Sequence, residues 1–485
     1  MITLILSIVA LILGYFFYGR FVEKVFGPDP ARVTPAHSKA DGMDYVVLPS
    51  WKVFMIQFLN IAGTGPIFGA ILGARFGPSC YLWIVLGCIF GGAVHDYFTG
   101  MLSVRSGGAG LPELVGEHLS RKAKPFAIGF SAIMLLLVGA VFVYSPAMII
   151  GDLTSKSFDT TFIWVSVILV YYILATLVPI DKIIGKIYPV FAVALLFMAV
   201  SLLVCLLVKW PSGIPEIWDG LGNRNPSAGS IFPCLFITIA CGAVSGFHAT
   251  QSPLMARCVD NEKLGRPVFY GAMVTEGIVA LIWAAVSSYF FFCGGNVEMG
   301  AEGVTAAPKV VTIVSQHWLG VIGGLLAILG VVAAPITSGD TALRSVRLVI
   351  ADALHLDQGP IRNRLIISVP IFLATGALLW FNVSDETGFD KIWRYFGWAN
   401  QTLAALALWT VTAFLSKRRK SCAYLIAMLP AAFMTSVTLT YILTAPIGFR
   451  LPSSWIPYLG TGIFAAGVVL FYIIRNKRLK GCLAV

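Results

Sequence analysis

Two long apolar segments of this chain are interrupted near their middles, one by Ala62-Gly63-Thr64-Gly65-Pro66 and the other by the run from Ser245 to Pro253, and they lie five membrane-length segments apart. Lipid offers no partner to a free backbone N–H or C=O, so irregular chain at bilayer depth survives only where it is buried in protein or lines a cavity. Paired interruptions of this kind point to a secondary transporter with its substrate site at the breaks.

Composition agrees with a membrane setting. The 485 residues are 58% hydrophobic and only 12% charged, with a mean hydropathy of +0.85, whereas about a quarter of the residues of soluble domains carry charge. The opening stretch 1–18 has neither a basic start nor a small-residue cleavage pattern and reads as a retained first helix. No soluble domain is left over. The nine cysteines are scattered singly, most of them (Cys88, Cys205, Cys234, Cys241, Cys293, Cys422) inside apolar runs and without a C-x-x-C pair, which reads as inert helix packing. The net charge of +11 sits in short loops between apolar runs, where membrane topology accounts for it without nucleic acid. The expected surroundings are therefore a lipid bilayer and a small-molecule substrate, and nothing in the residues specifies an oligomeric state.

Apolar runs of roughly 17–25 residues, the length that crosses a bilayer, occur near 1–18, 51–76, 79–102, 125–150, 160–178, 187–208, 230–256, 268–294, 319–342, 365–381, 395–415, 421–444 and 453–474. Thirteen runs put the termini on opposite sides. Of the 34 Lys and Arg residues, 26 fall in loops sharing a side with the C-terminus, which predicts a cytoplasmic C-terminus and an N-terminus outside. Lys417-Arg418-Arg419-Lys420 marks the inner face, and Trp210 and Trp218 mark the outer loop 209–229. The Gly-rich segment 295–318 is too long for a tight connection and is expected to hold a short helix on the outer surface, either a gate or a plain loop.

With the first run set aside, runs two to six and seven to eleven form two sets of five, each opening on a broken helix. Because five is odd, the second set is inverted relative to the first. The predicted fold is an all-α polytopic membrane protein with a LeuT-like inverted five-plus-five core at 51–415, its repeats near 51–208 and 230–415. An extra helix and cytoplasmic loop (1–50) precede it, and two helices with a basic tail (416–485) follow.

Several polar residues interrupt these runs. Thr64 would stand near the N-cap of a second half-helix opening at Pro66, whose free N–H groups and macrodipole suit a carboxylate; the plainer reading is a Gly-Pro kink. The expected substrate-binding set is Gln57, Asn60, Gly63, Thr64, Gly65, Ser245, His248, Gln251, Asn400 and Gln401. In it His248 and Gln251 share a helical face, and the amides either bond substrate or tie helices together. His248 is otherwise a coupling proton carrier or a structural histidine. His95, Asp96 and Glu276 are intramembrane ionisable candidates for proton coupling, with a structural ion pair near the inner face as the alternative for Asp96. Asp340 and Arg344, four apart, read as a salt bridge. Thr337 and Ser338 supply hydroxyls for an alternative sodium site, or act as helix glue.

No P-loop, dinucleotide fingerprint or His-Glu-x-x-His motif occurs, which argues against direct ATP coupling. No nucleophile-plus-base pairing suggests an enzyme.

At these same segments the chain resembles the carbon starvation protein A (CstA) family. The resemblance is carried by Leu48-Pro49-Ser50-Trp51-Lys52-Val53-Phe54, Gln57-Phe58-Leu59-Asn60-Ile61-Ala62-Gly63, Gly65-Pro66-Ile67-Phe68-Gly69-Ala70, Gly92-Ala93-Val94-His95-Asp96-Tyr97, Ser245-Gly246-Phe247-His248, Pro335-Ile336-Thr337-Ser338-Gly339-Asp340-Thr341 and Trp398-Ala399-Asn400-Gln401. It implies a bacterial inner-membrane carrier linked to carbon starvation, with members assigned to peptide uptake and others to proton-driven pyruvate uptake. The resulting expectation is a proton-coupled symporter for short peptides or pyruvate that needs no cofactor beyond the proton gradient, with sodium coupling or a membrane-embedded nutrient sensor as alternatives.

Overall fold

A computed structural model of the chain describes residues 1–42, 44–154, 160–176, 180–358, 360–385, 388–417 and 422–481, and these contain helices and connecting segments without a strand. The chain runs through α1 (Ile2–Phe26), the bent pair α2 (Ser50–Ile61) and α3 (Gly65–Ala74), α4 (Ser79–Arg105), α5 (Arg121–Thr154), α6 (Thr161–Thr176) and α7 (Ile180–Lys209). A split segment then ends in α8 (Gly246–Ala256), followed by α9 (Glu262–Phe292), α10 (Ala307–Leu354), α11 (Ile361–Ser384), α12 (Gly388–Ser416), α13 (Leu425–Thr444) and α14 (Ser453–Lys477).

Among the described residues nine helices are long and apolar enough to cross a bilayer, and α2 with α3 makes a tenth span bent by 46°. The other three expected runs fall short for visible reasons. The α6 helix has only 16 residues, α12 carries Asn400, Gln401 and three threonines within its apolar stretch, and the seventh run is split into two short pieces. The first helix continues to Phe26, well past the expected end at residue 18. The segment 295–318 holds a short helix, Gly295–Glu298, and then the start of α10, which bends at Gly320 where φ is +66°. Arg418, Arg419 and Lys420 of the expected inner-face cluster lie outside the described residues.

The two broken spans occupy the centre. The α2 half packs on α7, α8, α9 and α10, the α3 half on α9, and α8 on α4 and α12. In α9, 89% of the most apolar stretch is buried, against 6% in α14, so α14 lies at the edge of the bundle.

The break in the second span falls where the sequence predicts it. Ala62 leaves the helix at ψ +50°, Thr64 takes the N-cap position, and Pro66 stands in the first turn of α3, where its missing N–H costs nothing. The seventh span differs from expectation. Its irregular chain is 239–245, and most of the expected break, including Pro253, is the regular helix α8. Gly242 provides the turn with φ +90°, a left-handed conformation that only glycine adopts at little cost. Pro253 removes a single amide from the ladder, and α8 continues through it, with Ser252 Oγ donating to the His248 carbonyl one turn back at 3.0 Å.

Candidate substrate and coupling site

The two breaks meet. A methyl group at Gly65 would overlap Cβ and Sγ of Cys241, one at Gly69 would lie 2.8 Å from the Thr238 carbonyl oxygen, and one at Gly92 would overlap the Ala243 carbonyl oxygen. The irregular stretch of the seventh span is thus clasped between α3 and α4, with glycines on both sides allowing backbone-close approach.

At the α2–α3 break the first helical hydrogen bond runs from Phe68 N to Thr64 O at 2.7 Å. The N–H groups before it, on Thr64, Gly65 and Ile67, are those a helix start leaves for other acceptors. On the last turns of α2 and at the break itself, fully buried, both amide atoms of Gln57, Nδ2 of Asn60 and the Thr64 hydroxyl have no hydrogen-bond partner. Buried polar atoms are nearly always paired, so this concentration of orphans marks a place built for a polar ligand. Gly63 lies under the ring of Phe142, which also meets Phe247 edge-on at 5.7 Å.

The amides of α12 do a different task. Asn400 Oδ1 accepts from Phe247 N at 2.7 Å and from Ser245 Oγ at 3.2 Å, capping α8. Gln401 Nε2 donates to the Phe236 carbonyl at 3.0 Å in the other half of the split span, which leaves its Oε1 unpartnered. Both tie α12 to the break. Gln251, although three residues after His248, reaches Thr250 at 3.0 Å and Ser345 of α10 at 3.5 Å, so the polar face of α8 divides between two neighbours. Next to it lies a cavity lined by Thr250, Arg257, Ser345 and Asp352.

His95 and Asp96 follow a wide π-turn, Gly87–Gly92, in α4. His95 Nδ1 lies 2.7 Å from Asp96 Oδ1, His248 Nδ1 lies 2.8 Å from Asp96 Oδ2, and His248 Nε2 faces Glu276 Oε2 of α9 at 3.4 Å. All four side chains are fully buried. Asp96 therefore links two imidazoles in the interior of the helix bundle. With its Nδ1–H donated to Asp96, a neutral His248 turns a lone pair toward Glu276. A proton on Nε2 converts that contact into an attraction.

On α10, Ser338 Oγ donates to the Leu59 carbonyl at 3.1 Å, so one hydroxyl of the expected sodium site does reach the end of α2. The Thr337 hydroxyl donates within its own helix, to the carbonyls of Ala333 at 3.0 Å and Ala334 at 2.8 Å. Asp340 accepts from Tyr188 of α7 at 2.9 Å, while Arg344 reaches the Ala175 carbonyl at 3.0 Å and Asp44 at 3.7 Å, so each member of the expected pair has partners on other segments. Cys241 and Tyr188 escaped sequence reasoning, the first because it sits in an unbroken apolar run and the second because only the fold brings it to Asp340.

At the end of the bundle carrying 295–306, Glu298 is gripped by Lys209, Tyr289 and His317. Hydrogen bonds from Lys209 and Tyr289 hold its carboxyl down to about 2.

The sequence profile of the family described as "Carbon starvation protein CstA" matches residues 1–212, 155–317 and 294–441. The chain is 45% identical over 339 residues to an "Uncharacterized membrane protein" of Haemophilus influenzae, an alignment covering 60% of this chain and 91% of that one. It is 26% identical to the "Peptide transporter CstA" of Escherichia coli (90% of this chain, 79% of that one) and 28% identical to that of Mycobacterium tuberculosis H37Rv (88% and 73%). Among solved structures, a Na+-coupled sialic acid symporter aligns with a TM-score of 0.53 at 13% identity, covering 94% of this chain and 96% of its own. An Eremococcus coleocola manganese transporter mutant aligns with a TM-score of 0.55 at 12% identity, covering 91% and 99%. These two are similar in fold and agree with a LeuT-like architecture.

Proposed function

This chain belongs to the carbon starvation protein CstA family, and from that premise we propose that it is a secondary transporter of the bacterial inner membrane that imports short peptides by proton symport during carbon starvation. The observation that carries the reading is the set of buried, unpartnered polar atoms on Gln57 and Asn60 at the end of α2 and on Thr64 at the break, the break whose Gly65 meets the other broken span. The substrate carboxylate binds the N–H groups of Thr64 and Gly65, with Gln57 and Asn60 supplying side-chain hydrogen bonds. Ser245, Asn400 and Gln401 hold the facing half of the site, and Gln251 connects it to α10. The coupling proton occupies the chain His95–Asp96–His248–Glu276, which the rocking of the two repeats opens to each side in turn. The N-terminus faces outward and the C-terminus the cytoplasm. The name shared by the E. coli and M. tuberculosis relatives favours peptides over pyruvate.

Sodium coupling is the second reading, motivated by the meeting of Ser338 Oγ with the Leu59 carbonyl. The deciding experiment is uptake by proteoliposomes under an imposed proton gradient, with labelled di- and tripeptides and labelled pyruvate offered separately, with and without sodium. Peptide accumulation that a protonophore abolishes and sodium leaves unchanged supports the proposal. Accumulation of pyruvate alone moves the substrate, a sodium requirement moves the coupling ion, and neither substrate accumulating overturns the carrier reading.

A further inference from the structure

One side chain beside the coupling chain has no part in transport as described. Cys241 lies in the irregular stretch of the seventh span, and its Sγ, a ring nitrogen of His248 and a carboxylate oxygen of Glu276 all fall within 4.8 Å of one another. All three residues are buried. Neither Glu276 oxygen nor His248 Nε2 has a hydrogen-bond partner. The sulfur meets Ser245 Oγ at 3.3 Å and Asn400 Nδ2 at 3.7 Å.

The second face of His248 adds an independent observation. Asp96 holds Nδ1 at 2.8 Å and leaves Nε2 directed at Glu276. A carboxylate on one imidazole nitrogen with the other nitrogen free is the arrangement that orients metal-ligating histidines. A thiolate, an imidazole and a carboxylate together favour borderline-soft divalent ions over sodium, magnesium or calcium, which prefer all-oxygen sites.

The geometry points to a site for a divalent transition-metal ion of the zinc type, ligated by Cys241 Sγ, His248 Nε2 and a Glu276 carboxylate oxygen. Metal–ligand bonds of about 2.0–2.3 Å require the ligand atoms to draw closer than they stand here. The chain carrying Cys241 can supply that movement, because it is irregular and adjoins Gly242, while His248 and Glu276 are fixed on helices. On binding, the thiol S–H bond breaks, its proton leaves to solvent and the sulfur–metal bond forms. Three protein ligands leave a fourth position for water. The bound ion ties the break of the seventh span to α9 and excludes the proton from Nε2 of His248.

Binding can be read without transport, so this inference stands or falls apart from the proposed carrier activity. The full chain, purified in detergent with any affinity tag removed, is titrated with Co2+ as a spectroscopic probe. The expected result is one Co2+ per chain, a sulfur-to-cobalt charge-transfer band with tetrahedral visible bands, and displacement of both by Zn2+. Cys241→Ser, nearly isosteric, abolishes the charge-transfer band, and Cys293→Ser, remote from the cluster, keeps it. Asp96→Asn, which removes only the orienting charge, weakens binding about 10–100-fold. Because Glu276→Gln leaves volume unchanged, its loss of affinity is checked against an unaltered melting temperature without metal. No stoichiometric band, or a band that survives in Cys241→Ser, overturns the site.

Discussion

Asn400, on α12, sets its side-chain carbonyl 2.7 Å from the backbone N–H of Phe247 and so caps a helix that starts in the middle of the membrane domain. A helix start in water can turn to solvent, but this one is buried and depends on its neighbour. Asn400→Ala should destabilise the protein by roughly 1–2 kcal/mol, whereas Asn400→Asp, which keeps the acceptor, should be milder. Thermal unfolding in detergent measures both, and equal melting temperatures for wild type and Asn400→Ala would show that the cap contributes nothing.

Asp96 and Glu276 stand on opposite sides of one imidazole. Asp96→Asn and Glu276→Gln should each abolish accumulation against a gradient while leaving exchange of labelled for unlabelled substrate measurable, because exchange needs no net proton movement. Counterflow in proteoliposomes separates the two activities. Normal accumulation in both variants would remove these carboxylates from coupling.

Glu298 provides a control away from the coupling chain. Its carboxyl is depressed from 4.5 to about 2 by Lys209 and Tyr289, so the contribution of the clamp is complete above about pH 4.5 and is lost only as pH falls through about 2. Glu298→Gln should therefore leave the pH profile of uptake between 5 and 8 unchanged, while hydrogen exchange in 295–306 speeds up. A shifted uptake profile in this variant would place the titrating group outside the bundle centre.

Gly65 has no room for a methyl group against Cys241. Gly65→Ala should cost about 1–3 kcal/mol through overpacking and suppress uptake. Cys241→Gly in the same chain should restore part of both, since it removes the atoms the methyl meets. Absence of any rescue would mean that the two breaks do not bear on each other.

These relationships were unequally legible in the residues. Gly63, Gly65 and Pro66 punctuate the second span so strongly that its break could be read directly, because each changes backbone freedom locally. In the seventh span the signal misled. Pro253 has the look of a helix breaker yet lies inside α8, while the true irregularity passes through Ile239, Ala240, Cys241, Ala243 and Val244, apolar residues with Gly242 as the one local mark. Asp96 and His248 were each visible as costly polar residues in apolar surroundings. Their hydrogen bond spans 152 positions and arises only from packing. The amides of α12 show the same limit, because an amide suits a ligand and a helix end equally well until the fold assigns it.

The wide turn at Gly87–Gly92 has a consequence for how variation in this protein is interpreted. A π-turn holds about one residue more than an α-helical turn, and each residue advances a helix by about 100°. Deleting a single residue there would let α4 wind evenly with the surplus residue gone and leave His95 and Asp96 near their present phase toward His248, whereas adding one would swing them away by about 100°, although every coupling side chain would still be present. Scans that exchange one side chain at a time would miss this dependence, whereas single-residue deletions and insertions would reveal it: the phase of α4 is as much a component of the coupling chain as the carboxylate it carries.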